Sequence, residues 1–580
     1  MYCCQKFSLK SLIRFKDVQV IDTKKREVSQ QFIATANRFN LNYFKDVLVN
    51  SIYDQHIIVF DNNTTENKAD KSNIKTALVY YSESFDGECD LTPIYDLPSI
   101  ETLYINNQTK GSIDIGYYYP MPNLRRLSIC AWEFNLDILQ SLKYLKMESE
   151  MLCEFRCFEL IKFKSLEELV FKSYMVNHLQ MDQLPISLTY LSIKLMDIPY
   201  PNSFVSCKSL EKLKICIDDS EFEEEDVEQL SIDLAGLPNL KSFKFMEEDS
   251  SDNLIDYCFE ISLPPSIKIL KIFTNHVQIP SKYPMPLLER LYVDQSLLSE
   301  GKVNLSSSPS IKKLSLSTCY HPIRANTIPS VEKLTIDKPL DFRIFGQVVF
   351  PPTLTHLSIK GNHYESFKLP ESLIKLNQTI KIPPLSLPQH LRQLDWKIKD
   401  TNNFVFPSSY PPHLETVNLI YLDAADFKID IPPITKYLSI ILNPNSSTQS
   451  HLLFSISNRI TKPSDQSKLW LPFNTTNLTV DLWCKLDFSK KLAFRLDEVI
   501  NHTNVRYLSI SDTLKFSIQR LDPENKSVLV LERQTLTGGI ITQRKSINNQ
   551  QQYDPIYLFM NKGSSSCSKF EFNWSFEPLL

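Results

Sequence analysis

Glycine is scarce in this sequence, ten among 580 residues, where ordinary usage near 7% would place about 40. Loops that cradle phosphate or a dinucleotide need glycine where the backbone closes on its ligand. Neither GxGxxG nor GxxxxGK[ST] occurs, and GxSxG, HExxH and the kinase signature set are missing as well. No cofactor, catalytic residue or metal ligand is therefore assigned. The twelve cysteines are dispersed too thinly for a disulfide scaffold. Cys153-x-x-x-Cys157 has no second Cys/His pair at zinc spacing, and Cys3-Cys4 stands beside no membrane-binding pattern. No run approaches 18 uncharged apolar residues, so no membrane span is expected. The start, MYCCQKFSLKSLIRFKDVQV, lacks the apolar core of a signal peptide. The expectation is a cytoplasmic chain with reduced thiols. A net charge of −4 from 67 acids and 63 bases gives no basic field for nucleic acid.

What is present is apolar material, 42% hydrophobic with 11% aromatic, in a chain longer than one hydrophobic core supports. A repeat organises it. Proline, two or three residues, an aliphatic, two residues, leucine, one residue and an aliphatic recur in LPSIETLYI (97–105), MPNLRRLSI (121–129), LPNLKSFKF (237–245), MPLLERLYV (285–293), IPSVEKLTI (328–336) and FPPTLTHLSI (350–359). With the central leucine as anchor, the register runs through Leu103, Leu127, Leu145, Leu169, Leu191, Leu213, Phe243, Leu270, Leu291, Leu314, Leu334, Leu357, Leu376, Leu394, Val417 and Leu438. The mean step is about 22 residues, inside the 20–29 span of leucine-rich repeats. Three before the anchor the residue is aliphatic except at Thr435, and two after it is apolar except at Gln378.

Strand side chains alternate, so the anchor and the residue two beyond share a buried face, and the residue between them points away. Thirteen of the sixteen anchors carry a proline upstream, five residues before in ten and six before in Pro185, Pro370 and Pro388. Proline cannot donate to a sheet ladder, so it belongs ahead of the strand. A single repeat cannot bury its apolar face, whereas stacked neighbours do so for one another. The expected fold is a leucine-rich-repeat-like solenoid, β-rich, with a long parallel sheet on one face, irregular Pro-rich spacers and few helices.

The units LPPSIKILKI (263–272) and LPISLTYLSI (184–193) resemble the LPxSLxxLxL half of the FNIP repeats of social amoebae, over about 97–440. The second half of that unit survives only as Leu376-Asn377-Gln378-Thr379-Ile380. The resemblance implies a degenerate leucine-rich-repeat protein. The asparagine typical of leucine-rich repeats, five after the anchor, stands only at Asn275, Asn362 and few other places, so a continuous asparagine ladder is not expected.

Three regions follow: an N-terminal cap over 1–90, the repeats over 91–441, and degenerate repeats with a β-rich C-terminal cap over 442–580. Within the first, 9–15 and 32–49 read as helices and 61–73 as a polar loop. Within the last, NLTVDL (477–482) and NVRYLSI (504–510) are repeat-like, Gly538-Gly539 reads as the turn of a hairpin between 528–531 and 539–542, and 561–568 as a mobile polar stretch.

Eight of the eleven residues 218–228 are acidic, without the glycine and alternating ligands of an EF-hand; a solvated insertion fits best. Arg125, Arg126, Lys212, Lys214, Lys268, Lys271, Lys312 and Lys313 recur around the strands, interleaved with Glu101, Glu167, Glu211, Glu289 and Glu332, as on a solvated surface. His356, one before an anchor, fits recognition or plain exposure better than catalysis. The function expected is a non-catalytic protein-interaction scaffold whose partner meets the strand face at Tyr104, Lys214, Lys244, Lys271 and Tyr292. The alternative is a repeat array serving a small catalytic module in either end segment.

Overall fold

Two apolar residues separated by one variable residue make a strand with one face to bury, and the computed structural model shows where each such face goes. It describes residues 57–61, 75–81, 94, 97, 99–107, 112–115, 121–136, 139–149, 160–173, 184–195, 198–200, 202–218, 230–248, 258–317, 328–337, 349–363, 368–380, 386–398, 409–421, 428–447, 451–463, 469–482, 491–511, 514–533, 538–546, 553–562 and 570–575. The expected helices at 9–15 and 32–49 and the Cys3-Cys4 and Cys153/Cys157 pairs lie outside these residues, as do all but the first residue of the loop at 61–73 and of the acidic run at 218–228. The chain divides into two compact units, Met1–Lys312 and Lys313–Leu580.

In the first unit a parallel ladder runs through Ile57–Asp61, Thr76–Tyr81, Thr102–Asn107, Arg126–Ala131, Tyr144–Ser149 and Glu168–Ser173. It continues through Tyr190–Leu195, Lys212–Asp218, Ser242–Glu248, Ile269–Ile272 and Arg290–Val293. Each anchor stands directly opposite the next, from Leu103↔Leu127 to Leu270↔Leu291. The ladder starts upstream of residue 91, with Ala77 opposite Leu103. In the second unit the same register joins Leu314, Leu334, Leu357, Leu376, Leu394, Val417 and Leu438, then continues past 441 to Leu478 and Leu508.

Every anchor is at most 2% exposed, and the residues three before and two after it are at most 3% exposed. Both exceptions in the sequence pattern still point inward: Thr435 is 0% and Gln378 3% exposed. The proline has a defined task. The amide three before the anchor donates to the carbonyl six before it, as in Leu124 N to Met121 O (3.2 Å) and Leu288 N to Met285 O (3.2 Å). A proline five before the anchor is therefore the second residue of a β-turn, where its fixed φ is already correct.

The position four before the anchor has a further role. Serine or threonine four before the anchor donates to the buried backbone of the preceding repeat: Ser141 Oγ to Leu124 O (2.8 Å), Ser187 Oγ to Leu166 O (2.7 Å) and Ser266 Oγ to Leu240 O (2.8 Å). Thr353 Oγ1 to Val331 O (3.0 Å) and Ser372 Oγ to Leu354 O (2.7 Å) repeat the bond in the second unit. Asn275, by contrast, is exposed. Lateral satisfaction of buried carbonyls, the task of an asparagine ladder, is here shared out to these hydroxyls.

Several spacers carry a second parallel strand. Ser112–Ile115 pairs with Glu133–Leu136, and Leu230–Asp233, Phe259–Ser262 and Val277–Gln278 form a short sheet. Phe245 and Phe259 meet edge-on at 5.1 Å between this sheet and the main ladder.

The second unit ends differently. Tyr507–Ile510 turns back antiparallel through Leu514–Arg520, Ser527–Glu532 and Gly538–Thr542. The hairpin expected here exists, but its glycines are not the turn: Gly538 and Gly539 pair with Leu531 and Val530 inside the second strand. The insertions between the last anchors, Pro444–Ser447, His451–Phe454 and Lys491–Arg495, join Tyr557–Lys562 and Phe570–Ser575 in a separate sheet. Of the polar stretch expected at 561–568, Asn561 and Lys562 are strand residues and the rest lies outside the described residues.

Candidate partner-binding face

With the anchors facing the core, the residues one before and one after them form rows on the opposite side of the sheet. In the first unit the row after the anchors places Ser192, Lys214, Lys244, Lys271 and Tyr292 directly opposite one another on successive strands. Four of the five residues expected on this face are thus consecutive neighbours.

Tyr104 is not with them. It sits on the same row, but Ser128, Lys146, Val170 and Ser192 separate it from Lys214. It is only 7% exposed, and burial pushes its pKa up to about 12, opposed by Arg126. The bulky neighbours account for this: Arg126 lies over the Tyr144 ring at 4.3 Å, on the adjacent strands.

The lysine row has its own packing. Lys244 Nζ lies 4.5 Å above the Phe273 ring, and Phe273 stacks on Tyr292 at 4.4 Å with 28° between planes. Burial lowers the Lys244 pKa, and the charges of Lys214 and Lys271 lower it further. Phe273 belongs to the face although it follows its strand, and the sequence signal for it was an aromatic three after the anchor.

Several other charges of this unit are paired locally. Two before the anchors, Lys75–Glu101 (3.1 Å), Lys143–Glu167 (2.6 Å) and Lys241–Glu211 (2.6 Å) pair across neighbouring strands, as expected of a solvated alternating row. Lys146 pairs with Glu148 at 3.0 Å. Asp218, first residue of the acidic run, accepts from Lys194 at 2.9 Å, and Glu248 is the second acid on that lysine.

In the second unit the row after the anchors is small and polar: Ser315, Thr335, Ser358, Asn377, Asp395, Asn418 and Ser439. His356 lies one before its anchor, its Nδ1 2.9 Å from Thr355 Oγ1. Partial burial lowers its pKa, with Lys333 and Lys375 on the flanking strands adding to the effect. The side chain of His363 lies outside the described residues.

The end of this unit holds buried charge. Arg495 grips Asp497 through Nε (2.8 Å) and Nη2 (2.7 Å), and Asp497 also accepts from Ile556 N at 3.2 Å. Glu498 accepts from Ser455 Oγ (2.7 Å) and Ser457 N (3.1 Å). These carboxylates hold the first turn of the helix Leu496–His502 to its neighbours, which is a structural use. Among the described residues no three His, Cys, Asp or Glu side chains converge as metal ligands.

The architecture is leucine-rich-repeat-like. Strand register, buried anchors and the single long parallel ladder within each unit establish it. The chain matches no protein-family model and no curated protein sequence. Among solved structures it is similar to CroV588, described as a novel circular LRR protein, at 15% identity and a TM-score of 0.36 over 76% of this chain. It spans 64% of that protein's length. It is similar also to a Leptospira interrogans LRR protein (16% identity, TM-score 0.34, 57% of this chain and 86% of that one). A third likeness is to a plant peptide hormone receptor, RGFR1, in complex with RGF2 (12% identity, TM-score 0.27, 76% of this chain and 70% of that one).

Proposed function

We propose that the chain is a non-catalytic scaffold that binds a protein partner on the outward face of its strands. The observation that carries this reading is the in-register row Lys214, Lys244, Lys271 and Tyr292, set on a sheet whose other face is committed to the core. Rigid strands hold such side chains at fixed spacing, as a binding surface requires. The finer parts of the reading have their own support. The serine four before the anchor is the serine of LPxSLxxLxL, so its bonds to the preceding repeat favour the FNIP type of stack. The antiparallel strands after Tyr507 leave the parallel ladder, as a C-terminal cap over 442–580 would; 1–90 is the proposed N-terminal cap. Cys207, Cys216 and Cys258 are thiols, in keeping with a cytoplasmic location. Among the described residues no helix is long and apolar enough to cross a membrane.

Affinity capture followed by mass spectrometry tests the reading, with the full chain and a Lys214→Ala/Lys244→Ala/Lys271→Ala/Tyr292→Ala variant as baits. A reproducible partner that the variant loses is the expected result. Capture undiminished by the four substitutions would move the binding surface elsewhere.

A further inference from the structure

We infer that the Lys214–Lys244–Lys271 row receives an acidic, extended polypeptide segment of the partner, whose carboxylates take the three ammonium groups. The inference rests on the scaffold reading and adds the chemistry of what is bound.

Neighbouring parallel strands lie about 4.8 Å apart, so the three stems rise within about 10 Å of one another. Like charges directly opposite on a sheet repel and destabilise it. Elsewhere in this unit several lysines at or just before the strands pair with glutamate, as at Glu101, Glu148, Glu167 and Glu211. Here the alternation fails: Lys212 precedes Lys214 on the same face, and Arg290 borders the row at its other end. Among the described residues no ion pair is made by Lys214, Lys244 or Lys271.

Among the described residues, the acids at the C-terminal ends of these strands are already engaged. Asp218 and Glu248 hold Lys194. Glu247 accepts from Thr274 and lies 3.2 Å from His276 Nδ1. Asp294 caps a helix by accepting from Ser296 N at 2.9 Å. Among the described residues the row therefore keeps a local positive charge that the chain itself, −4 overall, does not share, and an anionic ligand removes the repulsion between its ammonium groups.

Two features select a polypeptide over a nucleic acid. Single-stranded nucleic acid is held by bases stacking on open aromatic platforms, but Phe273 is engaged by Lys244 and Tyr292 within the face. The chain also lacks the broad basic field that phosphate binding draws on. An extended acidic segment offers carboxylates about 3.3 or 6.6 Å apart, a spacing that flexible lysine stems accommodate on either side of the strand step.

Fluorescence anisotropy with the full chain tests this, using a labelled glutamate-rich dodecapeptide, its glutamine counterpart and an oligothymidylate of equal length. The glutamate peptide is expected to bind, more weakly as salt rises, and the glutamine peptide not to. Lys214→Gln/Lys244→Gln/Lys271→Gln should weaken binding about tenfold, the usual worth of three exposed ion pairs. Lys214→Arg/Lys244→Arg/Lys271→Arg keeps the charge and should retain binding, which separates loss of charge from loss of fold. Equal binding by the glutamine variant, or tighter binding of the oligonucleotide, overturns the inference. The outcomes of the two experiments are separable. A partner lost from the quadruple variant together with a peptide that fails to bind rejects the acidic segment and leaves the scaffold. Peptide binding that depends on the row, with capture indifferent to it, supports the acidic site and rejects the partner face.

Discussion

At Gly538 the backbone takes φ +144°, and a Cβ there would lie 2.1 Å from the carbonyl oxygen of Val530. Gly539, one residue on, has nothing within 4 Å of its added Cβ. Gly538→Ala should therefore destabilise by about 2 kcal/mol or more through strain and clash, while Gly539→Ala stays within about 0.5 kcal/mol. Urea unfolding of both variants checks the contrast; equal effects would mean the strand relaxes freely. His502 gives a second test. Its ring stacks on Trp470 at 4.0 Å with 7° between planes, and burial, then Lys462 and Arg495, hold its pKa below the ordinary 6.5 against the opposing pull of Asp497. A base depressed in the folded state favours folding when neutral. That stability is fully present above about pH 6.5 and is lost as pH falls through the folded-state pKa. The melting temperature should fall between about pH 7.5 and about pH 5, and His502→Gln should shrink the difference. A variant whose pH slope matches the parent's removes His502 from the account. Neither feature was legible in the sequence. Gly538-Gly539 reads as a turn from composition, and only the partner strand reveals that one glycine is required by Val530 while the other is free.

Among the elements, the strands were the legible part and the helix Leu496–His502 was not. A strand unit repeats and so can be found against its copies; LDEVINH occurs once, between anchors, and its end is completed from 20 residues away. Arg520 supplies that completion. Its Nη2 donates to Val499 O (3.0 Å), Ile500 O (2.9 Å) and Thr503 O (2.7 Å), its Nη1 to Val505 O (2.9 Å) and its Nε to Ile500 O (3.0 Å). Helix ends leave carbonyls without partners inside the helix, and one planar guanidinium satisfies several here. Arg520→Met keeps the length of the stem and removes these donors, leaving Val499 O only the Thr503 hydroxyl and Ile500 O only the Asn525 amide, at a cost of about 2–4 kcal/mol. Arg520→Lys should recover only part, because an ammonium cannot reproduce the planar fork. Hydrogen exchange over 496–505 should quicken in Arg520→Met; unchanged exchange would show that water replaces the guanidinium without loss. The same distinction holds for the binding face. That Lys214, Lys244, Lys271 and Tyr292 face away from the core follows from alternation alone. Which charges are neutralised depends on neighbours one repeat away, and spacers from 18 to 30 residues long hide those partners until the register is known.

For the whole molecule, register proved the most legible property: anchors chosen from the sequence stand opposite one another along the ladder of each unit. The reason is energetic, since slipping one strand by a single residue would turn its buried leucine to water and its lysine into the core. What sequence periodicity could not deliver was the division at Lys312, because the repeat motif runs on unchanged at MPLLERLYV and IPSVEKLTI to either side. Stacked repeats are stabilised by their nearest neighbours, so damage should stay local. Leu145 and Leu394 are both 0% exposed, one in each unit, and each is expected to lose about 2–5 kcal/mol on replacement by alanine. Hydrogen exchange read by mass spectrometry locates the loss. Leu145→Ala should loosen the strands at Leu127, Leu145 and Leu169 and leave the protection of 313–580 unchanged, and Leu394→Ala should do the converse. If either substitution lowered protection evenly along the chain, the two units would unfold as one, and the nearest-neighbour account of this array would have to be given up.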